Sequence, residues 1–340
     1  MADAQLQAPV AFFIYKRPER TRRIFERIRE ARPSRLFLIA DAPRASEDRL
    51  ACEQARAIAA EVDWPCEVTR DFAERNLGVK HRIPSGIDRV FGEVDRAILL
   101  EDDCLPHPTF FRFCEELLDR YEDEERVMHV AGSQLLPRPP AGDASYHFSR
   151  YVHIWGWATW RRAWRHFDVG LREWHELDRA AREARLRALF DAESERRYWR
   201  YVWDNSGEIE NWDAQWSYVL LSRDGLAANS NRNLISNIGF GSDATSATED
   251  PFGIAARPLE GTEFPLAHPD SLQRDAAADT AASSLLFRRE GPPAPPKAPL
   301  RARVWAAALR VGGRSLDFVP EPIRPKIRHR DRKPPRESSG

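Results

Sequence analysis

Ala97-Ile98-Leu99-Leu100-Glu101-Asp102-Asp103 decides the fold: four apolar residues run straight into three consecutive carboxylates. The apolar run has the pattern of a strand buried on both faces, and the carboxylates mark where it leaves the sheet. Working outward, Val10-Ala11-Phe12-Phe13-Ile14-Tyr15 and Leu36-Phe37-Leu38-Ile39-Ala40 repeat that pattern, and a further strand is expected near 66–70. Between them the chain reads as helix. Pro18 stands at a helix start, Ile24, Phe25 and Ile28 form an apolar stripe, a second helix runs from about 46 to 61, and a short one follows Asn76-Leu77-Gly78. Strand and helix alternate through the first 120 residues, which predicts an α/β fold with a mostly parallel central sheet and flanking helices. In such sheets ligands sit beyond the carboxyl ends of the strands, and Tyr15, Asp41, Asp71 and the acidic triplet all fall there.

The 340 residues carry 52 basic and 53 acidic side chains, so net charge gives no sign of a nucleic-acid partner. The segment 301–340 holds 11 Lys/Arg against four Asp/Glu, an excess of seven that leaves the rest of the chain about eight net negative. Cys52, Cys66, Cys104 and Cys114 lack metal-site spacing, and so few thiols predict a reducing compartment without disulfides. No basic region followed by an apolar run opens the chain, and no run is long enough to span a bilayer, so the expectation is a soluble, cytoplasmic protein. The sequence has no P-loop, no Gly-x-Gly-x-x-Gly after the first strand and no Gly-x-Ser-x-Gly elbow, which argues against ATPase, dehydrogenase and hydrolase chemistry.

Three adjacent carboxylates repel one another unless a cation sits among them. Mn²⁺ or Mg²⁺, which prefer hard oxygen ligands, would relieve that repulsion and grip a diphosphate at the same time. The string Asn76-Leu77-Gly78-Val79, then Ile98-Leu99-Leu100-Glu101-Asp102-Asp103, then Phe110-Phe111 resembles the donor half of GT-A-fold (Rossmann-like) glycosyltransferases. It is similar to the bacterial family-2-like members, and more closely to the inverting β-1,2-N-acetylglucosaminyltransferase type. The resemblance spans roughly residues 8 to 270. It implies that Asp103 contacts the metal, that Asp102 contacts donor ribose or sugar, that Asp41 reads a uracil edge and that Arg17 meets the diphosphate. Tyr15, Asn76, Gly78, Lys80 and Glu101 complete the expected donor set, with a nucleoside-diphosphate sugar, expected to be a UDP-sugar, as the donor.

Nine of the eleven tryptophans lie between Trp155 and Trp216, and charged helices are expected from about 173 to 203. This half is expected to be helical and to receive the acceptor, a glycan or a lipid-linked saccharide. Inverting transfer needs a general base, and Asp213 stands between Trp212 and Trp216, which would desolvate it. The resemblance implies the same base; a helix cap is the alternative role, and the two can coexist. Trp155, Gly156, Trp157 and Trp212 resemble the segments that shape the sugar and acceptor pocket. Gly241 and Asp243 belong to a glycine-punctuated loop read as a lid, although Ser246 stands where family members often carry a His. His268 is a candidate late metal ligand.

The expected organisation is one domain over 1–270 (donor half about 8–135, acceptor half about 136–270), a Pro/Ala-rich linker over 271–300, and a short amphipathic helix with a basic tail over 301–340. The tail is a candidate for peripheral contact with anionic lipid. Two other functions compete: a sugar nucleotidyltransferase, although Lys16-Arg17-Pro18-Glu19-Arg20 lacks that class's glycines, and a non-catalytic carbohydrate-binding protein.

Overall fold

The computed structural model describes residues 5–140, 142–239 and 257–287. The lid residues Gly241 and Asp243, the tail 301–340 and the Pro-rich part of the expected linker lie outside these described residues.

The elements run β1 (Val10–Ile14), α1 (Pro18–Ala31), β2 (Arg35–Ala40), α2 (Arg49–Ala59), β3 (Glu67–Phe72), α3 (Val79–Phe91), β4 (Arg96–Glu101), β5 (Cys104–Pro106), α4 (Thr109–Arg120), β6 (Val127–Ala131), β7 (Tyr146–Ser149) and β8 (Trp157–Trp160). They continue through α5 (Arg161–Trp164), α6 (Arg172–Glu176), α7 (Arg179–Leu189), α8 (Glu193–Asp204), α9 (Asp213–Ser222), β9 (Leu226–Ser230), β10 (Ile235–Asn237) and α10 (Ala276–Leu286). Eight strands form one sheet in the order β3-β2-β1-β4-β8-β6-β9-β7. The neighbours from β3 to β4 are parallel, as are β6 and β9; only β8 and β7 run the other way. The fold is therefore α/β with a mostly parallel central sheet.

Alternation along β1 divides the core. Val10, Phe12 and Ile14 face α1, α2 and α4 through Ile24, Phe25, Ile58 and Phe113, whereas Ala11 and Phe13 face α3 through Ile83, Ile87 and Val90. Burial on both faces is what a continuous apolar run requires. A third core, built by Trp174, Trp199 and Trp203, gathers α6, α7 and α8 around α9. Helix α9 is enclosed on both sides: Trp216 and Val219 join the sheet core, and Ala214, Tyr218 and Leu221 join the helical one.

Two features depart from the sequence reading. The Trp157–Trp160 segment is a strand, inserted antiparallel between β4 and β6, with every residue buried. Within the stretch read as linker, residues 276–286 form α10. Asp275 caps it by accepting from the backbone N–H groups of Ala277 and Ala278, and alanine favours helix as readily as it populates linkers. Helix α10 is fastened to the body by hydrogen bonds from Ser283 to Glu195 and from Ser149 to Asp279. All four cysteines are free thiols, and no helix among the described residues is long and apolar enough to cross a membrane.

Two histidines lie in the core as neutral rings. His129 Nδ1 accepts from Trp216 Nε1 at 3.2 Å, so Nε2 carries the proton and donates to the His153 carbonyl at 3.1 Å. Burial pushes His129 down to about 3 and His153 down to about 4. The unfolded chain therefore takes up these protons first, and stability is lost as pH falls below the ordinary histidine value; at pH 5 each ring costs about 2 kcal/mol. In His129→Gln the amide can both accept from Trp216 and donate to the carbonyl. Urea unfolding should show the stability gap between the two proteins moving in the variant's favour by about 2 kcal/mol between pH 7.5 and pH 5. A gap that ignores pH would contradict the neutral core imidazole.

Candidate active site

Strands β1 to β3 wind outward in one direction, and β4 returns to the other flank of β1. The crevice between the carboxyl ends of β1 and β4 is therefore a topological switch point, where open α/β sheets bind ligands. Phe13 and Glu101 are register partners there, so the residues that follow each strand meet across the crevice.

From β1 comes Arg17, at the head of α1, and from β4 come Asp102 and Asp103. Arg17 Nη1 donates to Asp102 Oδ1 at 3.1 Å and to Asp103 Oδ2 at 2.7 Å. The second Asp102 oxygen accepts from the Tyr15 backbone N–H at 3.0 Å, so both of its oxygens are held by protein. Glu101 differs: its carboxylate forms no hydrogen bond or ion pair among the described residues. Burial first, then the charges of Asp103, Asp102 and Asp213, push Glu101 up to about 8 against the pull of Arg17. Burial likewise lifts Asp102 to about 6, opposed by Arg17. Asp213 is thus close enough to the triplet for its charge to be felt there. It opens α9, where burial raises its pKa while its own N–H and that of Ala214 oppose the rise.

Strand β5 leaves the triplet and pairs with β10, which extends as Ile238 N–H donates to the Asp103 carbonyl at 2.8 Å. Gly239 follows. A Cβ there would lie 2.4 Å from Asp103 Oδ2, so only glycine lets the chain pass this close. Among the described residues no three His, Cys, Asp or Glu side chains converge into a metal cluster. Asp103 and Glu101 still present hard carboxylate oxygens, with the Gly239 backbone packed against Asp103. That donor set suits a divalent cation whose remaining ligands come from a diphosphate.

Several expected site residues have other work. Asp41 accepts from the N–H groups of Ala42, Leu77 and Gly78 at 2.8 to 2.9 Å and from Asn76 Nδ2 at 3.1 Å. Its carboxylate clamps residues 76–78 at the head of α3, a structural role beside the expected reading of a uracil edge. Asn76 also donates to the Ala42 carbonyl at 2.7 Å and shares the clamp. The Tyr15 hydroxyl donates to Asp48 and accepts from the Arg44 N–H at 3.0 Å. Lys80 turns away from the crevice, donating to the Ser206 and Gly207 carbonyls.

Trp157 and Trp212 are each 2% exposed and stack on one another at 5.7 Å, so their faces belong to the core; of the expected pocket aromatics only Trp155 is partly exposed. Gly156 serves packing: its φ is +62°, and a Cβ would meet Ile235 Cδ1 at 2.3 Å. His268 Nδ1 is 3.1 Å from the Tyr146 hydroxyl and its Nε2 faces Glu116 at 3.8 Å. The sequence reading missed Gly239, whose signal was present in the glycine-punctuated stretch after Asn237. It also missed Arg20, which donates to the Gly239 carbonyl at 3.3 Å and lies three residues beyond Arg17.

No family model and no curated protein matches the chain. Among solved structures it is similar to a UDP-glucose pyrophosphorylase complexed with UDP-glucose (8% identity, 65% of this chain and 90% of that one, TM-score 0.33). It is also similar to the 4-diphosphocytidyl-2C-methyl-D-erythritolsynthase of Anaerococcus prevotii (8%, 65% and 88%, TM-score 0.34) and to mouse xyloside xylosyltransferase 1 (12%, 64% and 82%, TM-score 0.32). At these scores the likeness carries no argument about ligand or reaction.

Asp41→Ala leaves several buried donors without an acceptor and should lower unfolding free energy by about 3 to 5 kcal/mol in urea titration. A residue that served only a nucleotide would leave stability unchanged and weaken nucleotide affinity instead.

Proposed function

We propose that this chain is a GT-A-type, inverting glycosyltransferase that moves a sugar from a nucleoside diphosphate, with UDP as the preferred nucleotide, to a hydroxyl of a glycan or lipid-linked acceptor. One observation supports the reading: at the β1/β4 switch point Arg17 pairs with Asp102 and Asp103, and the charge of Asp213 acts on the neighbouring Glu101. Arg17 offers positive charge to a diphosphate, and a planar fork suits phosphate oxygens. Asp102, held on both oxygens, orients Arg17 and the turn. Asp103 with Glu101 would hold Mn²⁺ or Mg²⁺, which when bound supplies charge neutralisation for the leaving diphosphate.

The chemistry then falls to the acceptor and Asp213. The acceptor oxygen forms a bond to the anomeric carbon as the anomeric C–O bond to the diphosphate breaks, its electron pair leaving with the diphosphate. The acceptor's proton passes to the Asp213 carboxylate. A base raised by burial and held at a helix start is suited to accept a proton that becomes acidic only as the new bond forms.

One observation favours a second reading. Arg17, the N-cap of α1, and Arg20, in its first turn, both reach the triplet side of the crevice, an arrangement that also suits the longer phosphate chain of a nucleotidyl transfer. Release of pyrophosphate from UTP and a sugar 1-phosphate would identify that activity.

A thermal-shift panel of nucleotide sugars with and without Mn²⁺ tests the main reading, because a ligand that binds only the folded form raises the melting point. A UDP-sugar should raise it in Mn²⁺, and Asp103→Ala should abolish the metal-dependent part. Asp213→Ala should keep the shift and lose turnover by about 10²- to 10⁴-fold. Near-normal turnover in Asp213→Ala would remove the assignment of the base, and absence of any metal-assisted nucleotide-sugar binding would remove the proposal.

A further inference from the structure

Lys80 is the second residue of α3 and is 6% exposed, an unusual place for an ammonium outside a binding site. A buried ammonium needs acceptors, and Lys80 finds two: the Ser206 carbonyl at 2.5 Å and the Gly207 carbonyl at 3.0 Å. Burial lowers its pKa and the charge of Glu210 opposes the drop, so Glu210 also lies near. The same loop approaches α3 at a second point, where a Cβ on Gly78 would lie 3.8 Å from Glu210 Oε2.

These contacts join two parts of the chain separated by about 125 residues. On one side the head of α3 is fixed by the Asp41 clamp and by Arg82, which donates to the Ala40 carbonyl at 3.1 Å and to the Asp71 carbonyl at 2.5 Å. On the other side the tethered carbonyls stand six and seven residues before Asp213, in the segment that leaves α8 and leads through Trp212 into α9. Ser206 is held there too by its hydroxyl, 2.9 Å from His175 Nε2. The chain of contacts runs from the end of β2, through 76–78 and Lys80, to the loop that delivers Asp213.

We infer that Lys80 is a positioning residue, tying the loop before Asp213 to the head of α3 so that the carboxylate keeps its place relative to the triplet. The inference rests on the reading of Asp213 as base. It assigns Lys80 a role that never touches the donor, because its two carbonyl acceptors direct the ammonium at the loop.

Hydrogen exchange and kinetics on the full chain test it together. In Lys80→Met, amides across 205–213 should exchange at least about tenfold faster, while the strands keep their protection. Donor affinity by calorimetry should stay within about threefold, whereas kcat should fall by about 10- to 100-fold, the scale on which a misplaced catalytic group acts. Lys80→Arg, which keeps donors for both carbonyls, should recover most of kcat. Wild-type exchange and wild-type kcat in Lys80→Met would overturn the proposal. So would parallel losses of donor affinity and kcat, since they mark a donor ligand. If Lys80→Met does not fold, Lys80→Gln takes its place; if neither folds, Lys80 serves folding and the proposal falls. If the wild-type chain turns over no nucleotide sugar, the functional reading fails, and the exchange data alone judge the tether.

Discussion

Like charges crowded at the rim of a sheet set the terms for everything near the β1/β4 crevice. Asp102 and Asp103 come from one turn, Glu101 precedes them, and the charge of Asp213 reaches the same place. Part of the repulsion is relieved by Arg17, which holds both aspartates with a single nitrogen. This arrangement is expensive for folding alone, because buried charges stabilise little beyond what their desolvation costs. Two aspartates against one guanidinium leave the turn net negative, a charge that a cation would balance. The Tyr15 backbone, the β5–β10 pairing and the close pass of Gly239 then follow as means of holding that turn still.

The first half of the fold was legible because its signals are local. A strand buried on both faces must be apolar along its buried run, as β1 is throughout and as β2 and β4 are between their polar ends; Pro18 could open a helix because its missing N–H is no loss there. The later strands carry no comparable signal. β5 and β10 have three residues each and pair across about 130 residues, and β8 is written in tryptophans whose reading as pocket or as core depends on partners distant in sequence. Gly156 is the clearest case: a glycine beside a tryptophan accommodates either a ligand or a neighbour, and the neighbour is Ile235.

At the site, residue type was legible and partner was not. The triplet and Asp213 stood out because carboxylates at a strand end and at a helix start are costly without a purpose. Asp41 looked the same from the sequence, yet its partners are backbone N–H groups, which no sequence displays. Lys80 presented as part of the donor set for the same reason, since the carbonyls it meets are also main chain.

Helix α9 has one further consequence. With one flank in the sheet core and the other in the tryptophan-rich core, it is gripped from two sides and has little room to slide or tilt. A carboxylate mounted on its first turn is therefore set at the moment of folding rather than recruited when a ligand arrives, and its reorganisation energy is spent during assembly.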